Sequence, residues 1–183
     1  LRKVLFRSAV LIAVLMAVIF AARDFIFNSI VFAPTTSDFA LYRAIDKVLL
    51  MLGLPALEPF KIHLINIELT AQFFIHISTS FYFALVIAAP FILYQLWLFI
   101  RPALYDNERS AVVKAFSFAA ILFFVGVLAG YYLIFPLTLR FLGTYQVSQD
   151  VVNQISLQSY ISMFTWMILI MGLVFEMPSV AAI

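Results

Sequence analysis

Residues 91–109 read Phe91-Ile92-Leu93-Tyr94-Gln95-Leu96-Trp97-Leu98-Phe99-Ile100-Arg101-Pro102-Ala103-Leu104-Tyr105-Asp106-Asn107-Glu108-Arg109. An apolar helix that has passed Pro90 delivers an aromatic belt at Tyr94, Trp97 and Phe99, then gives way to a short loop carrying both charge signs. Aromatic rings gather where a membrane helix meets the polar interface, and charges follow once the chain is in water. The stretch therefore reads as the exit of a transmembrane helix into a compact loop.

The rest of the chain agrees. Its 183 residues are 66% hydrophobic and 11% charged, with a mean hydropathy of +1.12. A soluble domain carries about 25% charged residues, so this chain cannot cover a water-facing surface. It is an integral membrane protein. The net charge is only +2 and its basic residues are dispersed, so nucleic acid is not expected as a partner. Without cysteine there are no disulfides or thiolate ligands. His63 and His76 stand apart with no motif around them, and neither is expected to hold a metal. No phosphate-binding loop, metal signature or nucleophile elbow appears, so neither a cofactor nor enzymatic chemistry is expected.

Leu1 stands where a methionine is usual, and Ile183 lies inside an apolar segment; the expectation is a fragment of a longer polytopic protein. Leu1–Ala22 does not read as a cleavable signal peptide, because its apolar run is too long and Ala21-Ala22 leads straight into Arg23-Asp24.

A hydrocarbon core of about 30 Å needs about 20 apolar residues as helix. Four segments qualify, at about 4–22, 73–100, 115–139 and 155–183. The reading is one all-α membrane domain over 1–183, with an outer cap region at about 28–70. Pro90, Pro136 and Pro178 should bend the later three spans. Arg2, Lys3 and Arg7 precede or enter the first span, and Arg101, Arg109 and Lys114 crowd the second connection. The positive-inside rule therefore expects the N-terminus and the 101–114 loop to face the cytoplasm.

Within the cap, Leu41, Ile45, Val48, Leu49 and Leu52 share one helical face, with Arg43, Asp46 and Lys47 opposite. Ser37 or Asp38 is expected to cap this helix, and Gly53 with Pro55 to stop it. An amphipathic helix on the membrane surface is expected, with partner binding as the alternative. Residues 59–69 fit no single pattern.

Glu176 is the sharpest single residue, an acid among apolar neighbours in Phe175-Glu176-Met177-Pro178. Placing an acid at mid-span costs on the order of 3 kcal/mol, so it should face a partner, a water-filled cavity or a bundle interior. The alternative is an acid near the membrane boundary. Gln95 is a second polar group inside a span. Asp106 and Glu108 are either a solvated charge cluster or carboxylates on a stiff rim that could grip a guanidinium. Gly126 and Gly130 form a GxxxG pair suited to close helix contact, within the subunit in preference to a homo-oligomer. Ser78, Thr79 and Ser80 are expected to bond backbone carbonyls or neighbouring helices.

Several of these stretches together resemble the TatC family, the core subunit of twin-arginine protein translocases. They are Ala89–Phe99, then Arg101-Pro102-Ala103-Leu104-Tyr105 with Glu108-Arg109, Tyr131-Tyr132, Phe135-Pro136-Leu137 and Phe175–Pro178. Leu1-Arg2-Lys3 is similar to the tail of the family's amino-terminal motif, whose glutamate would precede it. The resemblance implies a six-helix, glove-shaped scaffold in the cytoplasmic (inner) membrane of a prokaryote. Its implied activity is recognition of twin-arginine signal peptides on folded precursors and assembly with TatB and TatA subunits, driven by the proton-motive force. By position it implies Glu108, Phe99 and Arg2 at the signal-peptide site. It matches Pro34 to a structural proline of the first outer loop, and Glu176 to the acid of the fourth helix. The first outer connection is longer than the family leads one to expect, and the fifth and sixth helices are absent. Two other readings stand beside it: a proton-coupled secondary transporter using Glu176 as a relay, and a structural assembly subunit built on Gly126 and Gly130.

Overall fold

The computed structural model describes residues 2–100, 109–145 and 154–181. Helix α1 (Arg2–Ala21) leads through the short α2 (Arg23–Phe25) into a π-helical turn at Ile26–Val31 and a 3-10 turn at Ala33–Thr35. The cap helix α3 (Ala40–Met51) follows, then strand β1 (Leu64–Ile65) and the long α4 (Ala71–Ile100). Helix α5 (Arg109–Ala129) passes through a second π-helical turn, Gly130–Ile134, into α6 (Phe135–Thr144). Strand β2 (Ile155–Ser156) precedes α7 (Leu157–Ala181).

Four stretches are long and apolar enough to cross a membrane: Val4–Ala21, Ala71–Phe99, Ala115–Thr144 and Leu157–Pro178. The third exceeds the expected 115–139. At ~1.5 Å per residue its 30 residues reach about 45 Å, so α6 rises beyond a core of about 30 Å. Pro136 sits in the first turn of α6, after the π turn, where its missing N–H matters least. Helices α4 and α7 continue through Pro90 and Pro178.

The helices associate as two close pairs, α1 with α4 and α5 with α7, and α4 joins the pairs by touching both α5 and α7. At the α1–α4 pair, the Phe20 and His76 rings stack at 3.8 Å. The His76 Nε2 lies 3.1 Å from the Phe20 carbonyl, near the C-terminus of α1. The core is continuous from Ile19, Ile26 and Val31 through Ile75 and Ala84 to Phe135, Tyr160, Phe164 and Ile168. Elsewhere α1 shows Phe6, Val14 and Val18 to the outside, as a lipid-facing helix must.

Two local readings need correction. Residue Phe39, not Ser37 or Asp38, occupies the N-cap of α3, and it makes no side-chain cap bond. Its ring instead packs on Tyr131 and Tyr132, so burial fixes the start of this helix in place of a polar cap. The undecided 59–69 region is partly extended, a small exception to an all-helical chain. Thr36 bridges Lys61, the Ile62 N–H donates to the Thr35 carbonyl at 3.0 Å, and β1 pairs in parallel with β2. The stop of α3 follows the glycine signal. Gly53 has φ +73°, its N–H bonds the Leu50 carbonyl, and the Leu54 N–H bonds that of Leu49, which is a Schellman ending.

Candidate functional site

Phe20 and His76 meet at the end of the bundle that carries the cap, so α1 runs backwards and α4 forwards to the opposite end. Arg2 and Phe99 therefore lie at one end, which we call the loop end. Arg2 is exposed, and the Phe99 ring is 46% exposed, so both present polar or aromatic surface at the rim. Glu108 lies outside the described residues, as do Arg101 and Asp106. In sequence Glu108 immediately precedes Arg109, the first residue of α5. The two helices flanking that loop are held by the Trp97 and Phe116 rings, 6.2 Å apart.

Two polar side chains sit deeper on the same half of the bundle. Gln95 is 4% exposed, and its Oε1 has no hydrogen-bond partner among the described residues. Glu176 is half-buried, and its Oε1 is equally buried and unpartnered among them. An unmade hydrogen bond at a buried group costs about 1–3 kcal/mol. Polar atoms left in this condition inside a span are available to a group arriving from elsewhere.

The cap end is built the other way. Pro34 is fully buried in the 3-10 turn, and its carbonyl lies 3.5 Å from the Tyr42 hydroxyl. That hydroxyl donates more closely to the Pro136 carbonyl, at 2.7 Å. The Tyr131 hydroxyl donates to the Ile30 carbonyl at 2.9 Å, and Tyr160 donates to that of Val31 at 2.5 Å. Both acceptors lie in the first π turn, where the regular helical ladder is broken and carbonyls need other donors. Arg140 lies over the Phe60 and Tyr42 rings, 5.0 and 5.9 Å from their centroids. Burial pushes the Tyr42 hydroxyl pKa up to about 12, with the Arg140 charge opposing the shift.

Between the ends, Gly126 and Gly130 lie at the crossing of α5 and α7 together with Gly172. A Cβ on Gly126 would stand 2.5 Å from the Met171 carbonyl oxygen, and one on Gly172 would stand 2.8 Å from the Phe123 ring. At Gly130 the nearest atom would be the Met171 side chain at 3.1 Å. The backbones can approach this closely only because side chains are absent.

Sequence reasoning missed Gly172 because its counterpart lies on another helix rather than four residues away. It also missed the three tyrosine bonds, because Tyr42, Tyr131 and Tyr160 lie far apart in the sequence and Tyr160 has no proline near it. Of the hydroxyls at 78–80, Ser80 donates to the His76 carbonyl at 2.8 Å. Thr79 Oγ1 has no partner among the described residues, contrary to the expected bond to a backbone carbonyl or a neighbouring helix.

The whole chain, residues 1–183, matches the family described as Sec-independent protein translocase protein (TatC). It is 34% identical to the TatC protein of Campylobacter jejuni over 99% of this chain and 66% of that protein. It is 30% identical to that of a Blattabacterium over 97% of this chain and 68% of that one. Its length is thus about two thirds of these relatives'. A crystal structure of the twin arginine translocase receptor TatC in DDM superposes with a TM-score of 0.73 and 28% identity, covering 98% of this chain and 71% of that chain.

Proposed function

The chain belongs to the TatC family, and we propose from that premise that it carries the signal-recognising core of a twin-arginine protein translocase. In this reading the loop end faces the cytoplasm and the cap lies outside, in the cytoplasmic membrane of a prokaryote. Glu108, with Phe99 and Arg2 beside it, receives the arginine pair of a signal peptide on a folded precursor. The translocon then assembles with TatB and TatA, and the proton-motive force drives transport.

What supports this reading is that Arg2 and the exposed Phe99 ring lie at one end of the bundle, the end at which α4 stops and α5 starts, with Glu108 immediately before Arg109 in the sequence. A carboxylate beside a helix start can form paired, charge-assisted hydrogen bonds to a guanidinium, each contributing roughly 1.5–3 kcal/mol. Glu176 and Gln95, each with an oxygen unpartnered among the described residues, would then serve contacts with partner helices rather than a proton relay. The transporter reading has no observation that favours it over this one.

In a chain of the relatives' full length, Glu108→Gln should weaken photocrosslinking of a twin-arginine peptide by about tenfold or more, the loss of one charge-assisted contact. Crosslinking of a twin-lysine peptide should change less. Unchanged crosslinking and transport in a normally inserted variant would sink the reading. The orientation is tested separately, with single cysteines at Asn107 and Thr36 labelled from one side of sealed vesicles. Labelling of both from the same side would overturn it.

A further inference from the structure

A cavity of about 310 Å³ opens among α4, α5 and α7, on the half of the bundle nearer the cap. A single water needs only ~10–15 Å³ on this measure, so the space is far larger than one buried water requires. Its inner wall is apolar, formed by Phe83, Val86, Val127, Ile168 and Leu169. No charged residue lines it among the described residues.

Six hydroxyl-bearing residues among those described line it, Ser29, Thr79, Tyr82, Tyr131, Tyr132 and Thr165, and Tyr82 is half-buried on α4 between Thr79 and Val86. Tyr131 and Thr165 spend theirs inside the protein, on the Ile30 and Ile161 carbonyls. Ser29 and Tyr132 are exposed at the rim on the cap side. Thr79 is 1% exposed, lines the cavity, and leaves its Oγ1 without a partner among the described residues. From Thr79 through Tyr82 and Phe83 to Val86 the α4 wall extends for about 10 Å at ~1.5 Å per residue. The order is therefore exposed hydroxyls at the rim, Thr79 and Tyr82 further in on α4, with the Thr79 hydroxyl unpartnered among the described residues, and hydrocarbon beyond.

That order is complementary to a glycerolipid, which carries polar oxygens at the interface, an ester carbonyl below them and a chain further in. The cavity opens at the depth of membrane-crossing helices, where lipid is the surrounding solvent. We propose that this cavity binds one acyl chain of a membrane lipid, whose ester carbonyl accepts a hydrogen bond from the Thr79 hydroxyl. The bound chain fills a gap that α4, α5 and α7 do not close themselves. This reading is independent of signal-peptide recognition, because it involves neither Glu108 nor the loop end.

The test uses the protein in nanodiscs containing a phosphatidylethanolamine with a diazirine near the carboxyl end of one acyl chain. After irradiation, adducts are mapped by peptide mass spectrometry. They should concentrate on residues 79–86, 127–128 and 165–169, well above the level at the lipid-facing Val14. Filling the space with Val86→Phe should bring the cavity adducts down to the Val14 level. Thr79→Val, which keeps the shape and removes the hydroxyl, should lower them by about two- to tenfold, and Thr79→Ser should restore them. The Thr79 pair decides the matter alone if Val86→Phe fails to fold. Adducts no denser at the cavity than at Val14, as expected of a water-filled space, would overturn the proposal. So would equal labelling in Thr79→Val and Thr79→Ser.

Discussion

At the cap end, Tyr42, Tyr131 and Tyr160 each give a hydroxyl proton to a carbonyl 94, 101 or 129 positions away in the sequence. At the loop end, Gln95 and Glu176 each keep a buried oxygen with no partner among the described residues. The two regions share one apolar bundle and differ in how the tyrosine hydroxyls and the span-embedded oxygens are used. The cap end also holds a buried side-chain atom without a hydrogen-bond partner among the described residues, Nη1 of Arg140, whose guanidinium lies over the Tyr42 and Phe60 rings. Where the backbone leaves regular helix, at the first π turn and the proline-containing turns, side chains from other segments satisfy it. Where regular helix continues, through α4 and α7, polar side chains are left over. The first arrangement fixes a shape, and the second keeps capacity for a contact not yet made.

The comparison can be broken at the crossing that holds both regions together. Gly126→Leu would drive side-chain atoms into the Met171 carbonyl, only 2.5 Å from where a Cβ would stand. Its expected cost exceeds the ~1–3 kcal/mol typical of overpacking, so folded protein should be largely lost in detergent size-exclusion and thermal assays. Full recovery with an unchanged melting temperature would mean that α5 and α7 do not pack through these glycines. Next in size is Tyr160→Phe. It strands the carbonyl of Val31, a fully buried residue, and should cost about 1–3 kcal/mol, read as a lower unfolding midpoint.

Tyr42 sharpens the contrast by pH. Its folded pKa is raised to about 12 from an ordinary 10, so below pH 10 both folded and unfolded forms hold the proton and the stabilisation is complete. Between pH 10 and 12 the unfolded form ionises first, and stability falls as pH rises. The melting temperature should decline over that window, and Tyr42→Phe should flatten the decline. The smallest effect belongs to the loop end. Gln95→Leu removes an oxygen that has no partner among the described residues, so stability should stay within about 1 kcal/mol or rise slightly. A loss as large as that of Tyr160→Phe would show that Gln95 is satisfied within the chain, and the contrast between the ends would collapse.

The legible part of this fold was the part that composition controls. Four membrane-crossing segments follow from unbroken apolar runs, and the end of α3 follows from Gly53, since a left-handed turn there favours glycine. The start of α3 was misread because its polar residues suggested a cap while the Phe39 ring does the anchoring. Strands of two residues leave no period to detect, so β1 and β2 were invisible. The tyrosine acceptors are backbone carbonyls, which look the same at every position and cannot be singled out from sequence. At the candidate site, Phe99 and Arg2 could be named because each lies in its own contiguous motif, Ala89–Phe99 and Leu1-Arg2-Lys3. Glu108 was named in the same way and falls in a stretch outside the described residues. The free hydroxyl of Thr79 was not legible, since a helical threonine normally bonds its own backbone.

The three tyrosine bonds also constrain the order in which this protein can be completed. Every one joins a segment before residue 43 to a residue at or after 131. A chain emerging from the ribosome can pair α1 with α4 early, yet its cap has none of these partners until the later spans are made. Such distant pairings form late because a long stretch of chain must be closed first. The cap is thus synthesised before the later spans and becomes rigid only after them, so its immobilisation reports that α5, α6 and α7 have docked.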